Sequence, residues 1–183
     1  MNGTTNDIGD PVTVRDVAEA DLDALQALSG TRAMHADRMR EAQLGWMQYL
    51  VAEAQGRVIA FGLLVYTVPP DWDRSEHAPL VVNLYVHSDC RSRGVGSAIL
   101  REMETRTRRR GFAAIYLRVE PENNPLAFAL YKRLGFEPLQ DVPFFDPYRF
   151  TDSDGNVHQG VEWNVEMMKR LNDRGQEPGD RGQ

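Results

Sequence analysis

A mixed α/β fold, one sheet flanked by helices, follows from three patterns in this 183-residue chain. Leu80 to Val119 reads strand, turn, helix, strand with short joints, a right-handed crossover between parallel strands. Tyr49 to Val68 carries two apolar segments, YLVAEA and RVIAFGLLVYTV, on either side of Gln55 and Gly56, which is the pattern of an antiparallel hairpin. Beyond Phe136 the chain returns to extended character, with Val161, Trp163 and Val165 alternating with polar residues.

The length suits one domain with a full core, and an apolar share of 42% is that of an ordinary soluble protein. A net charge of −6 argues against nucleic acid as a partner but leaves cationic ligands open. One cysteine, Cys90, excludes an internal disulfide and suits a reducing compartment. MNGTTNDIGD lacks the basic head and apolar core of a secretory signal, and no apolar run nears the roughly 20 residues of a membrane span. The expectation is a cytoplasmic protein with no membrane association, disordered over 1–10, folded as a single domain over 11–170, and disordered again over 171–183.

Taken in order, Val12, Val14 and Val17 predict a half-exposed first strand. Asp21 is placed to cap a helix with Leu22, Leu25 and Leu28 on one face and Gly30 at its end. Met39, Ala42, Trp46 and Leu50 predict a second helix from about Ala36 to Leu50, against which Gly45 counts. The hairpin follows, and Pro69 and Pro70 stop its second strand. Asp71 to Pro79, with Trp72 and His77, is an acidic loop. Leu80 to His87 reads as a central strand covered on both faces. Val95, Ile99 and Met103 mark a helix ended by Gly111, and Ala113 to Val119 the next strand. A last helix runs from about Pro125 to Leu134, burying Leu126, Leu130 and Leu134, with Gly135 beyond it. DSDGN over 152–156 is a turn between two final extended segments.

The chemistry converges on NLYVHSDCRSRGVGS, residues 83–97. A strand, a glycine-bearing turn and a helix start place unpaired N–H groups and the positive end of a helix dipole together, which predicts a site for an anion, a phosphate. Gly-x-Gly alone is weak evidence. A dinucleotide fingerprint requires Gly or Ala where Ile99 stands and an acid after the next strand, and a triphosphate loop requires Lys and Ser/Thr after Gly96; both are missing. Arg91 and Arg93 beside the turn suit a diphosphate held without metal. Downstream, Asn124 and Tyr131 lie two helical turns apart on one face, and Tyr131 stands about 100° around the helix from Leu130, where its ring can point into a cleft. A tyrosine that simply packs its ring is the alternative.

These residues together resemble the Gcn5-related N-acetyltransferase (GNAT) family, from about Val12 to Met168. The most specific parts are Leu84 to Gly96, where Arg91, Gly94 and Gly96 meet the pattern Arg/Gln-x-x-Gly-x-Gly/Ala, and NPLAFALYKRLGF over 124–136. The resemblance implies a mixed, mostly antiparallel sheet of about seven strands with about four flanking helices, in which strands 4 and 5 splay apart. It implies acetyl-coenzyme A as co-substrate, with the pantetheine arm against the backbone of Leu84, Tyr85 and Val86. The diphosphate would lie on the turn formed by Arg91, Ser92, Arg93, Gly94, Val95, Gly96 and Ser97. Asn124 would hold the pantetheine or the chain around it, Tyr131 would act as general acid on the departing thiolate, and the Val86 N–H would donate to the oxyanion of a direct transfer.

No acid stands on Leu80 to Val86, so the base stays open among Glu76, His77, Glu120 and a water chain. Asp71, Asp73, Glu76, Asp146, Asp152 and Asp154 make the expected acceptor regions acidic, which suggests a cationic substrate such as a polyamine, an aminoglycoside-like amine or a basic peptide end, with a solvated acidic surface as the competing account; a small primary amine is favoured over a protein N-terminus or lysine. The histidines lack metal-ligand spacing, no metal is expected, and Cys90 has no acidic partner to make it a nucleophile. The Arg106, Arg108, Arg109 and Arg110 run favours the helix dipole, with a contact to the 3′-phosphate of coenzyme A, shared with Lys132 or Arg133, as a secondary reading. A homodimer is allowed by the sequence and not required by it. The rival function is a non-catalytic acyl-coenzyme A sensor or interaction module.

Overall fold

The computed structural model describes residues 11–67, 79–151 and 156–171. The expected tails, most of the acidic loop (71–78, with Trp72 and His77) and the turn at 152–155 lie outside the described residues. The strands are β1 Thr13–Asp16, β2 Met47–Ala54, β3 Arg57–Val65, β4 Leu80–Val86, β5 Ala114–Val119, β6 Glu137–Pro138, β7 Phe144–Thr151 and β8 Val157–Arg170. The helices are α1 Leu22–Leu28, α2 Arg32–Gln43, α3 Val95–Arg109 and α4 Pro125–Arg133. Seven strands follow one another in the order β1-β2-β3-β4-β5-β8-β6, and β7 pairs with β8 off that path. Every described pairing is antiparallel except β4 with β5.

Alternation along the strands builds two cores. Met47, Tyr49 and Val51 of β2 join Phe61, Leu63 and Val65 of β3 and Leu25 of α1 on one face. Leu50, Ala52 and Ala54 face the other way and pack with Val95, Ile99 and Met103 of α3 and with Tyr131 of α4. The β2–β3 turn is the two-residue kind that matches the sheet's own twist, with Gln55 at φ 53° and Gly56 at φ 71°. Ala54 pairs with Arg57 across it.

Four expectations are corrected. The second helix starts earlier and stops earlier than its apolar spacing implied. Thr31 caps it by accepting a hydrogen bond from the Met34 N–H, and Gly45, in the left-handed region at φ 88°, turns the chain away. Trp46 and Leu50 therefore lie outside the helix, and Leu50 is a strand residue. Asp21 does not cap α1 with its side chain; its carboxylate accepts from the Ala18 N–H and pairs with Arg15 at 2.7 Å. In α4, Leu126 is 77% exposed, while Tyr131 is the buried residue of the helix, because the inward face runs through Ala127, Leu130, Tyr131 and Leu134. Finally, β4 is buried only at its start, Leu80 and Val81, and becomes partly exposed from Val82 onward.

Candidate functional site

The change in burial along β4 has a local cause. Asn83 adopts φ 52°, a conformation Asn tolerates better than other side chains, and the β3–β4 register shifts between Phe61 and Leu63. This β-bulge turns the strand over. Val82 packs with the α1 side, and Leu84 and Val86, two and four residues on, pack with the α3 side. Sequence reasoning passed over Asn83; its only signal was an Asn inside an apolar strand.

The bulge also ends the parallel pairing. Leu80 pairs with Tyr116 and Val81 with Leu117, and no further β4–β5 partners occur. Past that point the strands separate, as expected for strands 4 and 5. The His87 N–H donates to the Ile59 carbonyl at 2.9 Å, so by alternation of an antiparallel ladder the N–H and C=O of Val86 point away from β3 into the gap. Tyr85, paired with Phe61, turns its backbone toward β3. Of the three backbone positions expected to line a ligand, Leu84 and Val86 face the opening, while Tyr85 does not: its backbone pairs with β3 and its ring stacks on Phe61 with centres 5.4 Å apart.

Beyond β4, a short 3₁₀ turn over Ser88–Cys90 leads to exposed Arg91, Ser92 and Arg93. Ser92 (φ 59°) and Gly94 (φ 83°) both take the left-handed region, and Gly94 is the residue from which α3 begins, with no side chain capping its first N–H groups. Val95 and Ser97 are buried, so the first turn of α3 is packed in place with its free donors at the mouth of the gap. A Cβ at Gly96 would meet Leu130 Cδ2 at 3.2 Å, so this glycine serves the approach of α4 as well as of any ligand. Arg91 folds back: its Nε donates to the Val86 carbonyl at 3.0 Å, with its guanidinium 5.9 Å from the Tyr85 ring centre.

Tyr131 lies in the cluster that also holds Val95 and Val119, with Leu84 and Val86 at its margin. Burial pushes its phenol up to about 12. Its ring packs at 60° to Phe136, with centres 6.1 Å apart. Asn124 starts α4 without a side-chain capping bond; its backbone does that work, accepting from the Phe128 N–H at 3.0 Å, and its side chain stays exposed. Neither residue's side chain is committed to the fold by a hydrogen bond that the structure records.

On the α1 side of the sheet, Arg118 of β5 lies between two carboxylates. Its Nη1 donates to Asp146 Oδ2 at 3.3 Å, and its Nε lies 3.7 Å from Glu166 Oε1. Asn164 Nδ2 donates to Asp146 at 3.0 Å and to Glu162 at 3.0 Å. Asp146, one of the acids expected to make the acceptor region negative, is buried in this network, which the competing account of a solvated surface does not fit. Glu120, at the end of β5, accepts from the Trp163 N–H at 3.4 Å. Among the described residues no group of three His, Cys, Asp or Glu is arranged to hold a metal, and no helix is long and apolar enough to cross a membrane.

Comparison with known proteins agrees with this architecture. The profile of the acetyltransferase (GNAT) family matches residues 15–136. Ribosomal-protein-alanine N-acetyltransferase from Brucella melitensis is similar in fold at 22% identity and a TM-score of 0.62, over 87% of this chain and 99% of that one. PaiA N-acetyltransferase from Thermoplasma acidophilum, solved in complex with coenzyme A, gives 17% identity and a TM-score of 0.62, over 87% and 99%. YncA from Salmonella typhimurium, solved with its cofactor acetyl-CoA, gives 19% and 0.62, over 92% and 98%.

Proposed function

Since the chain belongs to the acetyltransferase (GNAT) family, we propose that this enzyme moves an acetyl group from acetyl-coenzyme A directly to a small, cationic primary amine. One observation carries the reading: β4 and β5 part after two residue pairs, and the Val86 backbone faces the opening beside the uncapped first turn of α3. A sheet gap of that kind accepts an extended pantetheine arm as an added strand, and free N–H groups at a helix start suit a diphosphate. The turn of Arg91 to Ser97 fits such a group because its backbone is already bent by Ser92 and Gly94 and the side chains of Arg91, Ser92 and Arg93 are exposed.

In this reading the neutral amine attacks the thioester carbonyl, forming the C–N bond. The Val86 N–H donates to the oxyanion, and the C–S bond breaks as the tetrahedral centre collapses. Tyr131 donates its phenolic hydrogen toward the departing thiolate. A phenol near 12 is a weaker acid than a thiol near 8.5. Complete proton transfer from it would be uphill by roughly 5 kcal/mol, so Tyr131 acts through a hydrogen bond that strengthens as charge builds on sulfur. The ammonium proton of the intermediate goes to a base reached from the α1 side, where Glu120 is the described candidate. Asp146, Glu162 and Glu166 place carboxylates on that same face, which favours a cationic acceptor.

Calorimetric titration with coenzyme A, followed by release of free thiol from acetyl-coenzyme A across polyamines, amino sugars, lysine peptides and peptide N-termini, tests the proposal. Binding with turnover on small amines supports it. Binding without turnover on any amine would make the protein a sensor, and no binding would end the reading.

A further inference from the structure

Coenzyme A carries a third phosphate on its ribose, one sugar away from the diphosphate, and two guanidinium groups near the α3 turn, those of Arg57 and Arg93, make no hydrogen bond or ion pair among the described residues. We infer that Arg57 and Arg93 hold this 3′-phosphate, in a cavity between the β2–β3 hairpin and the turn entering α3. The inference rests on the acyl-coenzyme A reading above and names the residues that select the phosphorylated carrier.

The cavity is about 270 Å³ and is walled by Ala54, Ile59 and Cys90, with Arg57, Arg93 and Asp89 as its charged lining. Ala54, Ile59 and Cys90 belong to the core under α3, so the cavity lies on the sheet face that also carries the α3 start. Arg57 is the first residue of β3, and Arg93 immediately precedes Gly94. Both are exposed, and neither side chain makes an ion pair or hydrogen bond among the described residues. That sets them apart from Arg15, Arg106, Arg108 and Arg118, each closed on a carboxylate. The one acid in the lining, Asp89, is 84% exposed and turned to Ser88 Oγ at 3.2 Å and His87 Nδ1 at 3.9 Å. Two guanidinium groups against one carboxylate leave a positive balance, in a chain of net charge −6. A phosphate dianion accepts paired N–H donors from guanidinium better than from any other side chain.

The arginine run at the far end of α3 is badly placed for this task. The helix has 15 residues, which separates its ends by about 22 Å. Arg106 is also closed on Asp16 and Glu102, and Arg110 lies 3.9 Å above the Tyr66 ring.

Calorimetric titration of the full chain with coenzyme A and with 3′-dephospho-coenzyme A tests the assignment. The unmodified protein should bind coenzyme A about tenfold more tightly than the dephospho form. Arg57→Gln should lose that preference by weakening coenzyme A alone, while Arg109→Gln keeps it. Equal binding of the two ligands by the unmodified protein, parallel weakening of both by Arg57→Gln, or loss of preference in Arg109→Gln would overturn the assignment while leaving the acyl-coenzyme A reading intact. Failure of the unmodified protein to bind either ligand would remove that reading and the assignment with it.

Discussion

Gly96 of α3 and Leu130 of α4 are packed so closely that a Cβ added at Gly96 would stand 3.2 Å from the leucine's Cδ2. A glycine in the first turn of one helix thus sets the approach of the helix that carries Tyr131. Gly96→Ala should be nearly neutral to the fold, because a helix-propensity gain of about 1 kcal/mol offsets a slight overlap. Gly96→Val adds branched bulk and should cost about 1–3 kcal/mol, with turnover lost as α4 is pushed outward. Thermal unfolding and steady-state kinetics on the two variants check this, and equal kinetics would separate the α3–α4 contact from catalysis.

Tyr131→Phe should keep coenzyme A affinity and lower turnover at least about tenfold, the lower end of what general-acid help contributes. With the phenol pushed up to about 12 by burial, no alkaline loss of rate below about pH 10 should come from Tyr131. The same shift has a stability consequence: the folded state holds this proton more tightly than the unfolded chain. Its contribution is complete below about pH 10 and falls as pH rises toward 12. A pH–rate profile that loses an alkaline limb near pH 8 in Tyr131→Phe would contradict the assignment.

His35 is fully buried between Ser29 and Tyr49, with its Nε2 2.6 Å from the Ser29 carbonyl and Nδ1 2.6 Å from the Tyr49 hydroxyl. A carbonyl only accepts, so Nε2 carries the hydrogen and Nδ1 accepts from Tyr49. Burial, joined by the charge of Arg38, holds the imidazole below its ordinary range. The unfolded chain therefore takes up a proton first as pH drops. Stability from His35 is complete above about pH 6.5 and declines as pH falls below it. Melting temperatures from pH 8 to 5 should fall in the unmodified protein and fall less in His35→Gln.

Arg118→Met should destabilise strongly, because Asp146 and Glu166 would stay buried after losing their contacts with Arg118. The expected cost is about 3 kcal/mol or more, or roughly a 10 °C drop in melting temperature. Asp146→Asn in the same background should recover part of it, and a double-mutant cycle by thermal unfolding measures the coupling.

Asp146→Asn alone keeps a hydrogen-bonding group beside Asn164 and removes one negative charge from the face proposed to receive the acceptor. For a diamine acceptor the KM should rise about tenfold with kcat little changed, and for a neutral monoamine it should hold. An equal rise for both acceptors would mean that the substitution disturbed the wall rather than its charge.

The parts legible beforehand were those set by local rules. The Gln55–Gly56 hairpin follows from a two-residue turn between apolar runs, and the α3 start follows from Gly94 in a conformation that disfavours side chains. Periodicity failed where two periods share the same residues. Met39, Ala42, Trp46 and Leu50 fit a helical stripe, yet the last two lie beyond the helix, because Gly45 stops α2 and Tyr49 and Leu50 must face opposite cores. In α4 the leucine spacing pointed inward at Leu126, while the helix turned Tyr131 to the core.

From its residues alone, this chain determined a strand–turn–helix that leaves the first N–H groups of the helix without a side-chain cap, and a tyrosine two turns along the last helix. Those features depend on neighbours in sequence, where backbone sterics and hydrogen-bond geometry act over a few residues. Only the tertiary structure decided that a bulge at Asn83 parts β4 from β5 and turns the Val86 backbone into the gap. Only it showed that Arg118 divides itself between Asp146 and Glu166, and that Arg57 shares a cavity with Arg93. These relationships join residues far apart in the chain, and their energies come from packing and charge that exist only once the strands are side by side.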